Sequence, residues 1–150
     1  MKNKIIFLII LFCNCFIFSL KIGAEELDIS ALEITFHKDQ ELLIAEGSVI
    51  VVDSVGNKVT TEKAEYDKSI DQLTTYQDSK IILKNGYQIT SSDILYDNKS
   101  KLIVSNEKSN ITDPDGNVIS VDMFEYLIEK NLFSSRGDIK IVDVKKNKYF

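Results

Sequence analysis

The stretch that decides the fold is Leu73–Asp97, LTTYQDSKIILKNGYQITSSDILYD. It predicts two strands about one turn: Thr, Ile, Leu and Tyr crowd Thr74–Leu83 and Tyr87–Tyr96, and Lys84-Asn85-Gly86 between them is turn chemistry. A step of 30 residues in either direction meets the same skeleton. Gly86 has counterparts at Gly56 and Gly116, and Tyr96 at Phe36, Tyr66 and Tyr126. Ile81 answers to Val51, Ile111 and Ile141; Leu73 answers to Leu43, Ile103 and Phe133. So many matches at one gap-free offset define a repeat protein.

The repeat removes a local ambiguity. Glu62–Ile70 and Val121–Leu132 are rich in good helix formers. Their equivalent, Ser92–Ser100, is a poor helix with a strand-like first half, and one repeated unit has one structure. Strands are therefore expected throughout, with turns at Asp53–Lys58, Lys84–Gly86 and Asp113–Asn117 on one side, and Asp67–Asp71, Asp97–Lys101 and Glu129–Asn131 on the other.

Alternation shows which face is buried. In the first strand of each unit the odd positions are apolar at both ends and mostly small in the middle, as in Leu73, Thr75, Gln77, Ser79, Ile81. The even positions carry Glu46, Asp78, Lys80, Lys108, Arg136 and Lys140, which suit solvent. In the second strand the apolar set begins on odd numbers (Val59, Ile89, Ile119) and continues on even ones (Ala64, Ile94, Phe124). That switch requires a bulge near Thr61–Lys63 and its equivalents, or a strand that bends from one sheet into another.

Met1–Ala24 differs in kind. Lys2 and Lys4 precede an apolar run from Ile5 to Leu20, and Ile22-Gly23-Ala24 ends in a small residue. This is the three-part pattern of a secretory signal peptide, expected to be cleaved after Ala24. Cys13 and Cys15 leave with it, so 25–150, one domain, has no thiol for a disulfide or a metal site. Without Lys2, Lys4 and Lys21 the remaining chain holds 15 basic and 23 acidic residues. An acidic domain without a basic stripe is a poor partner for nucleic acid and for an anionic membrane surface.

No catalytic chemistry is legible. The single histidine, His37, has no cysteine partner and reads as a solvated surface residue. Asp113-Pro114-Asp115-Gly116 reads as a turn, because an EF-hand loop needs a Glu six residues after its Gly, where Asp122 stands. No serine lies in a nucleophile elbow, and no Gly-rich phosphate loop occurs. No enzyme, metal or cofactor is expected.

The repeated pattern Ala45-Glu46-Gly47-Ser48-Val49-Ile50-Val51, then Gly56, Val59-Thr60 and Ala64-Glu65-Tyr66-Asp67, resembles the OstA/LptA family of lipopolysaccharide-transport proteins. It recurs as Ile89-Thr90 with Ile94-Leu95-Tyr96-Asp97, and as Ile119-Ser120 with Phe124-Glu125-Tyr126. Gln77 and Glu107 depart from it where Gly47 stands in the first unit. The resemblance implies an all-β fold, an open antiparallel β-jelly-roll of 30-residue two-strand repeats. It implies a periplasmic protein that carries lipopolysaccharide acyl chains in an apolar groove and stacks with neighbouring jelly-roll modules through its edge strands. Both LptA, the soluble bridge, and the N-terminal periplasmic domain of LptD, the outer-membrane assembly protein, are similar in this respect. The expected groove lining is Leu43, Val49, Val51, Leu73, Ile81, Ile103, Ile111, Phe133, Ile139 and Ile141. The small residues between them are expected to leave room for guest hydrocarbon.

A secreted structural β-solenoid or adhesin, whose apolar face packs on itself with no lipid cargo, is the competing reading. Solenoid coils are usually shorter and carry Asn or Gly ladders, whereas the ladders here are aromatic and aliphatic. Phe150 stands at the position of Thr60, Thr90 and Ser120, so the fourth unit stops within a hairpin. The expectation is that further strands follow in a longer LptD-like chain, or that Phe133–Val144 is an edge that recruits another module.

Overall fold

The computed structural model describes residues 27–145 and 147–149, so the secretory segment expected over Met1–Ala24 lies outside the described residues. Thirteen strands form one antiparallel sheet. They are β1 (Asp28–Ser30), β2 (Glu33–His37), β3 (Leu42–Val52), β4 (Lys58–Asp67), β5 (Gln72–Tyr76), β6 (Ser79–Ile82) and β7 (Gln88–Ser91). There follow β8 (Ile94–Asp97), β9 (Leu102–Ser105), β10 (Ser109–Thr112), β11 (Val118–Leu127), β12 (Leu132–Val142) and β13 (Lys148–Tyr149). Both segments with helix-forming composition begin as strands, β4 and β11, and among the described residues only Lys38–Gln40 and Ile128–Lys130 form single 3-10 turns.

The sheet has two leaves that share the long strands. One half of β4 pairs with β6 through Val59↔Ile81, and its other half pairs with β5 through Tyr66↔Leu73. The first leaf continues β6–β7–β10–β11, and the second continues β5–β8–β9–β11. β3, β4, β11 and β12 run through both leaves. The ends farthest from the bend come back within hydrogen-bond reach of each other: the Tyr96 hydroxyl of the second leaf donates to Asp53 at a turn of the first, 2.8 Å away. The sheet is thus folded over, and its inner faces share one apolar core.

The bend explains the switch of alternation. Glu46 pairs with Lys63 and Val49 with Thr61, so Gly47 and Ser48 together face Glu62 alone. At the other end Gly137 and Asp138 face Asp122 alone. The irregularity lies where it was expected, but the extra residue belongs to the opposing strand. Glu62 and Asp122 serve these bulges alike: Glu62 accepts from the Ser48 N–H at 3.2 Å, and Asp122 from the Asp138 N–H at 3.0 Å. Gly47 and Gly137 adopt φ of 77° and 92°, which a Cβ disfavours. Where Gln77 and Glu107 replace glycine, the strand breaks in two, giving β5/β6 and β9/β10.

The turns of the first leaf share a second motif that the 30-residue period could have revealed. Asp53 and Asn57 recur as Asp113/Asn117 and Asp143/Asn147. Each Asp accepts the Asn backbone N–H at 2.8 Å and its side-chain amide at 2.7 Å. The Asn carbonyl oxygen then accepts an N–H of the next available turn, Lys84 for Asn57 and Val144 for Asn117. Such side-chain satisfaction of turn backbone is why Asp and Asn suit these corners.

Candidate functional site

The interior between the leaves is where the predicted lining residues meet. Val49, Val51, Leu73, Ile81, Ile103 and Ile111 are buried together, each no more than 2% exposed, with Leu43 and Phe133 packed against them. Ile139 and Ile141 do not join this cluster. Ile139 is 42% exposed because, among the described residues, β12 is paired there by β11 alone, β13 reaching Ile141 and Val142. Phe36, the counterpart of the buried Tyr66, Tyr96 and Tyr126, lies half exposed on β2 at the opposite edge.

The small mid-strand residues, expected to leave room for a guest, instead hold the bend together. Thr75, Ser79, Ser105 and Ser109 are all buried, and so are Thr61 of β4 and Ser91 of β7, which meet them. The Ser79 hydroxyl donates to Thr61 at 3.0 Å; Ser91 and Ser105 share a hydrogen bond of 2.8 Å, and Ser109 donates to Ser91 at 2.9 Å. No buried polar side-chain atom among the described residues lacks a partner. A hydroxyl removed from water needs such a partner, so repeat positions with Ser or Thr form a polar seam inside an apolar body.

The mouth opposite the bend carries a second polar line. Asp53 is buried, and its carboxylate accepts from the N–H groups of Val55, Gly56 and Asn57 and from the Tyr96 hydroxyl. Lys101 Nζ lies 4.0 Å from the same carboxylate and donates to Asn98 at 2.7 Å. Burial pushes the Asp53 carboxyl upward, but the hydrogen bonds from Tyr96 and Asn57, with Lys101 nearby, outweigh it and hold it below the usual carboxylate range. One unit along, the Asn85 side-chain amide donates to the Tyr126 hydroxyl at 2.9 Å, and that hydroxyl donates to Asn131 at 2.6 Å. Burial raises the Tyr126 phenol above its ordinary value. Tyr66 bonds within its own leaf, to Asp71. The tyrosine ladder is legible in the 30-residue period, whereas these partners are not.

On the outside of the bend lies a trough of about 1090 Å³, bordered by Glu62, Asp78, Lys80, Glu107 and Lys108. Its charges are mixed, and it is lined by no aromatic side chain. His37 ends β2 and is exposed. No group of three or more His, Cys, Asp or Glu among the described residues is arranged to hold a metal ion. None of their helices is long and apolar enough to cross a membrane.

A folded-over antiparallel sheet with one apolar interior defines the β-jelly-roll class that the resemblance implies. In fold the chain is similar to the crystal structure of LptH, the LptA-homologous periplasmic component of the lipopolysaccharide transport device of Pseudomonas aeruginosa. The TM-score is 0.70 over 79% of this chain and 94% of that one, at 14% sequence identity. No protein-family profile and no curated protein matches the chain by sequence.

Proposed function

We propose that this protein is a periplasmic lipopolysaccharide carrier that holds acyl chains between its two leaves. The observation that carries the reading is the buried inner row Val49, Val51, Ile81, Ile111, contributed by β3, β6 and β10, in a fold shared with LptH. Burying hydrocarbon contributes about 0.8 kcal/mol per CH₂, so such an interior retains a lipid without a cationic site. The carrier reaches the periplasm through the Met1–Ala24 signal, works as an LptA-like bridge or as the N-terminal module of an LptD-like assembly protein, and meets neighbouring modules by edge-strand addition. Exposed Leu32, Ile34 and Phe36 at one edge, and Leu132 and Ile139 at the other, support that docking.

A second reading, a structural β module without cargo, is favoured by one observation: the interior is filled by the protein's own side chains. One experiment separates the two. A photo-crosslinking side chain at Ile81 or Ile111 captures lipopolysaccharide if the leaves hold lipid, while the same probe at Lys80 or Lys108, on the outer face, captures little. Equal labelling on both faces, or none on either, removes the carrier reading.

A further inference from the structure

Val49, Val51, Leu73, Ile81, Ile103 and Ile111 are closed off from solvent, so an acyl chain reaches them only if the leaves part. We infer that the Tyr96–Asp53 and Asn85–Tyr126 hydrogen bonds are the latch of a lateral gate, and that a chain enters by breaking these rungs while the bend acts as hinge. This rests on the carrier reading above for its cargo, but not for its motion.

Three observations point to it. First, among the described residues no backbone hydrogen bond joins the turns of one leaf to those of the other. The turns of the second leaf bond to one another instead, Lys68 N–H to Glu41, Asn98 N–H to Asp71 and Ile128 N–H to Lys101. The mouth is spanned by side chains, whereas the bend is spanned by continuous backbone in β3, β4, β11 and β12. Second, each rung can part without stranding a group. Asp53 keeps three backbone N–H donors and the Asn57 amide from its own turn, Lys101, which parts from Asp53 with the same rung, keeps Asn98, and Tyr126 keeps Asn131. A buried polar group left without a partner is what makes an opening expensive, and here the parted groups retain partners or reach water. Third, the rungs have the same stagger. Tyr96 and Tyr126 occupy one repeat position, and each reaches the first-leaf turn of the preceding unit. The latch is therefore a row along the mouth, and it can open locally at one unit while its neighbour stays shut.

The test compares two phenols in the full-length chain. Tyr96→Phe removes a rung. Tyr76→Phe removes a bond of similar kind, to Glu65 at 3.1 Å, that stays within the second leaf. Opening is read without lipid as the rate at which a thiol reagent labels Ile81→Cys, followed peptide by peptide so that Cys13 and Cys15 do not count. The expected acceleration with Tyr96→Phe is about fivefold, the change in an equilibrium that loss of one ordinary hydrogen bond produces, and Tyr76→Phe leaves the rate unchanged. Uptake of a fluorescent fatty acid, measured by stopped flow, is expected to accelerate in the same variant alone. If Tyr96→Phe labels no faster than Tyr76→Phe, the latch is overturned. If labelling accelerates and the fatty acid never binds, the latch stands and the carrier reading falls.

Discussion

Ser91 and Ser105 face each other hydroxyl to hydroxyl at 2.8 Å across the inside of the bend, with Ser109 donating to Ser91 from the other side. Ser91 ends β7 and Ser105 ends β9, so this contact ties the first leaf to the second where the middle strands are broken. Ser105 and Ser109 also bond the Glu107 carbonyl, so removing Ser91 does not orphan them. Ser91→Ala is therefore expected to destabilise by about 1 kcal/mol, the net worth of one hydrogen bond. Ser91→Val adds volume in a packed place and is expected to lose about 1–3 kcal/mol. The denaturant midpoint measures both, and an alanine variant as stable as the parent would show that the seam contributes nothing.

Gly137 and Gly56 separate backbone strain from crowding. Both have positive φ, 92° and 95°. A Cβ at Gly56 meets nothing within 4 Å, whereas at Gly137 it stands 2.7 Å from the Asp122 carboxylate that accepts the Asp138 N–H. Gly56→Ala is expected to cost about 1–2 kcal/mol from the left-handed conformation alone. Gly137→Ala adds displacement of Asp122 and is expected to cost more, about 2–4 kcal/mol in all. Thermal unfolding of the two variants side by side checks the order, which is the claim at stake.

Much of the architecture was legible because the repeat has no gaps. One offset aligned Gly56, Gly86 and Gly116 as turns, and alternation put Ile81 and Ile111 on the inner face, where they lie buried. What stayed illegible is contact between the leaves. Tyr96 and Asp53 are 43 positions apart and meet only because the sheet folds over, which no local period encodes. The mid-strand serines are illegible for the same reason, since a small residue beside a void and a hydroxyl in a seam look alike until their neighbours are known. Ile139 shares its parity with Ile81 but not its burial, because exposure at β12 depends on what lies beyond it.

Asp53 gives the fold a pH dependence of definite sign. Its carboxyl is held below the usual range despite burial, by hydrogen bonds from Tyr96 and Asn57. A depressed folded-state value means the unfolded chain binds the proton first. The stabilisation is fully present above the unfolded carboxylate value, near 3.9, and is lost as pH falls through the folded one. The stability gap between the parent and Asp53→Asn is thus expected to be constant from pH 7 to about pH 5 and to shrink below about pH 4. Urea midpoints for the two proteins across that range decide it; a gap that widens in acid would reverse the assignment.

The edges make the last prediction. Among the described residues the strand β12 has a partner on one side only from Leu132 to Ile139, and Leu132 and Ile139 point apolar groups into solvent. Such a strand offers unpaired N–H and C=O groups together with apolar side chains, the combination that recruits another chain. At the opposite end β2 pairs, among the described residues, with β3 alone, and Ile34 and Phe36 are exposed beside it. Two unlike open edges favour head-to-tail association over a closed symmetric dimer. The protein is expected to associate in sedimentation velocity as its concentration rises. Ile139→Lys places a charge on the edge and is expected to weaken association about tenfold, or ~1.4 kcal/mol. Lys80→Glu, on the outer face of the paired strand β6, is expected to leave it unchanged. A parent protein that stays monomeric at the highest concentration would mean these edges are blunted by something other than strand addition.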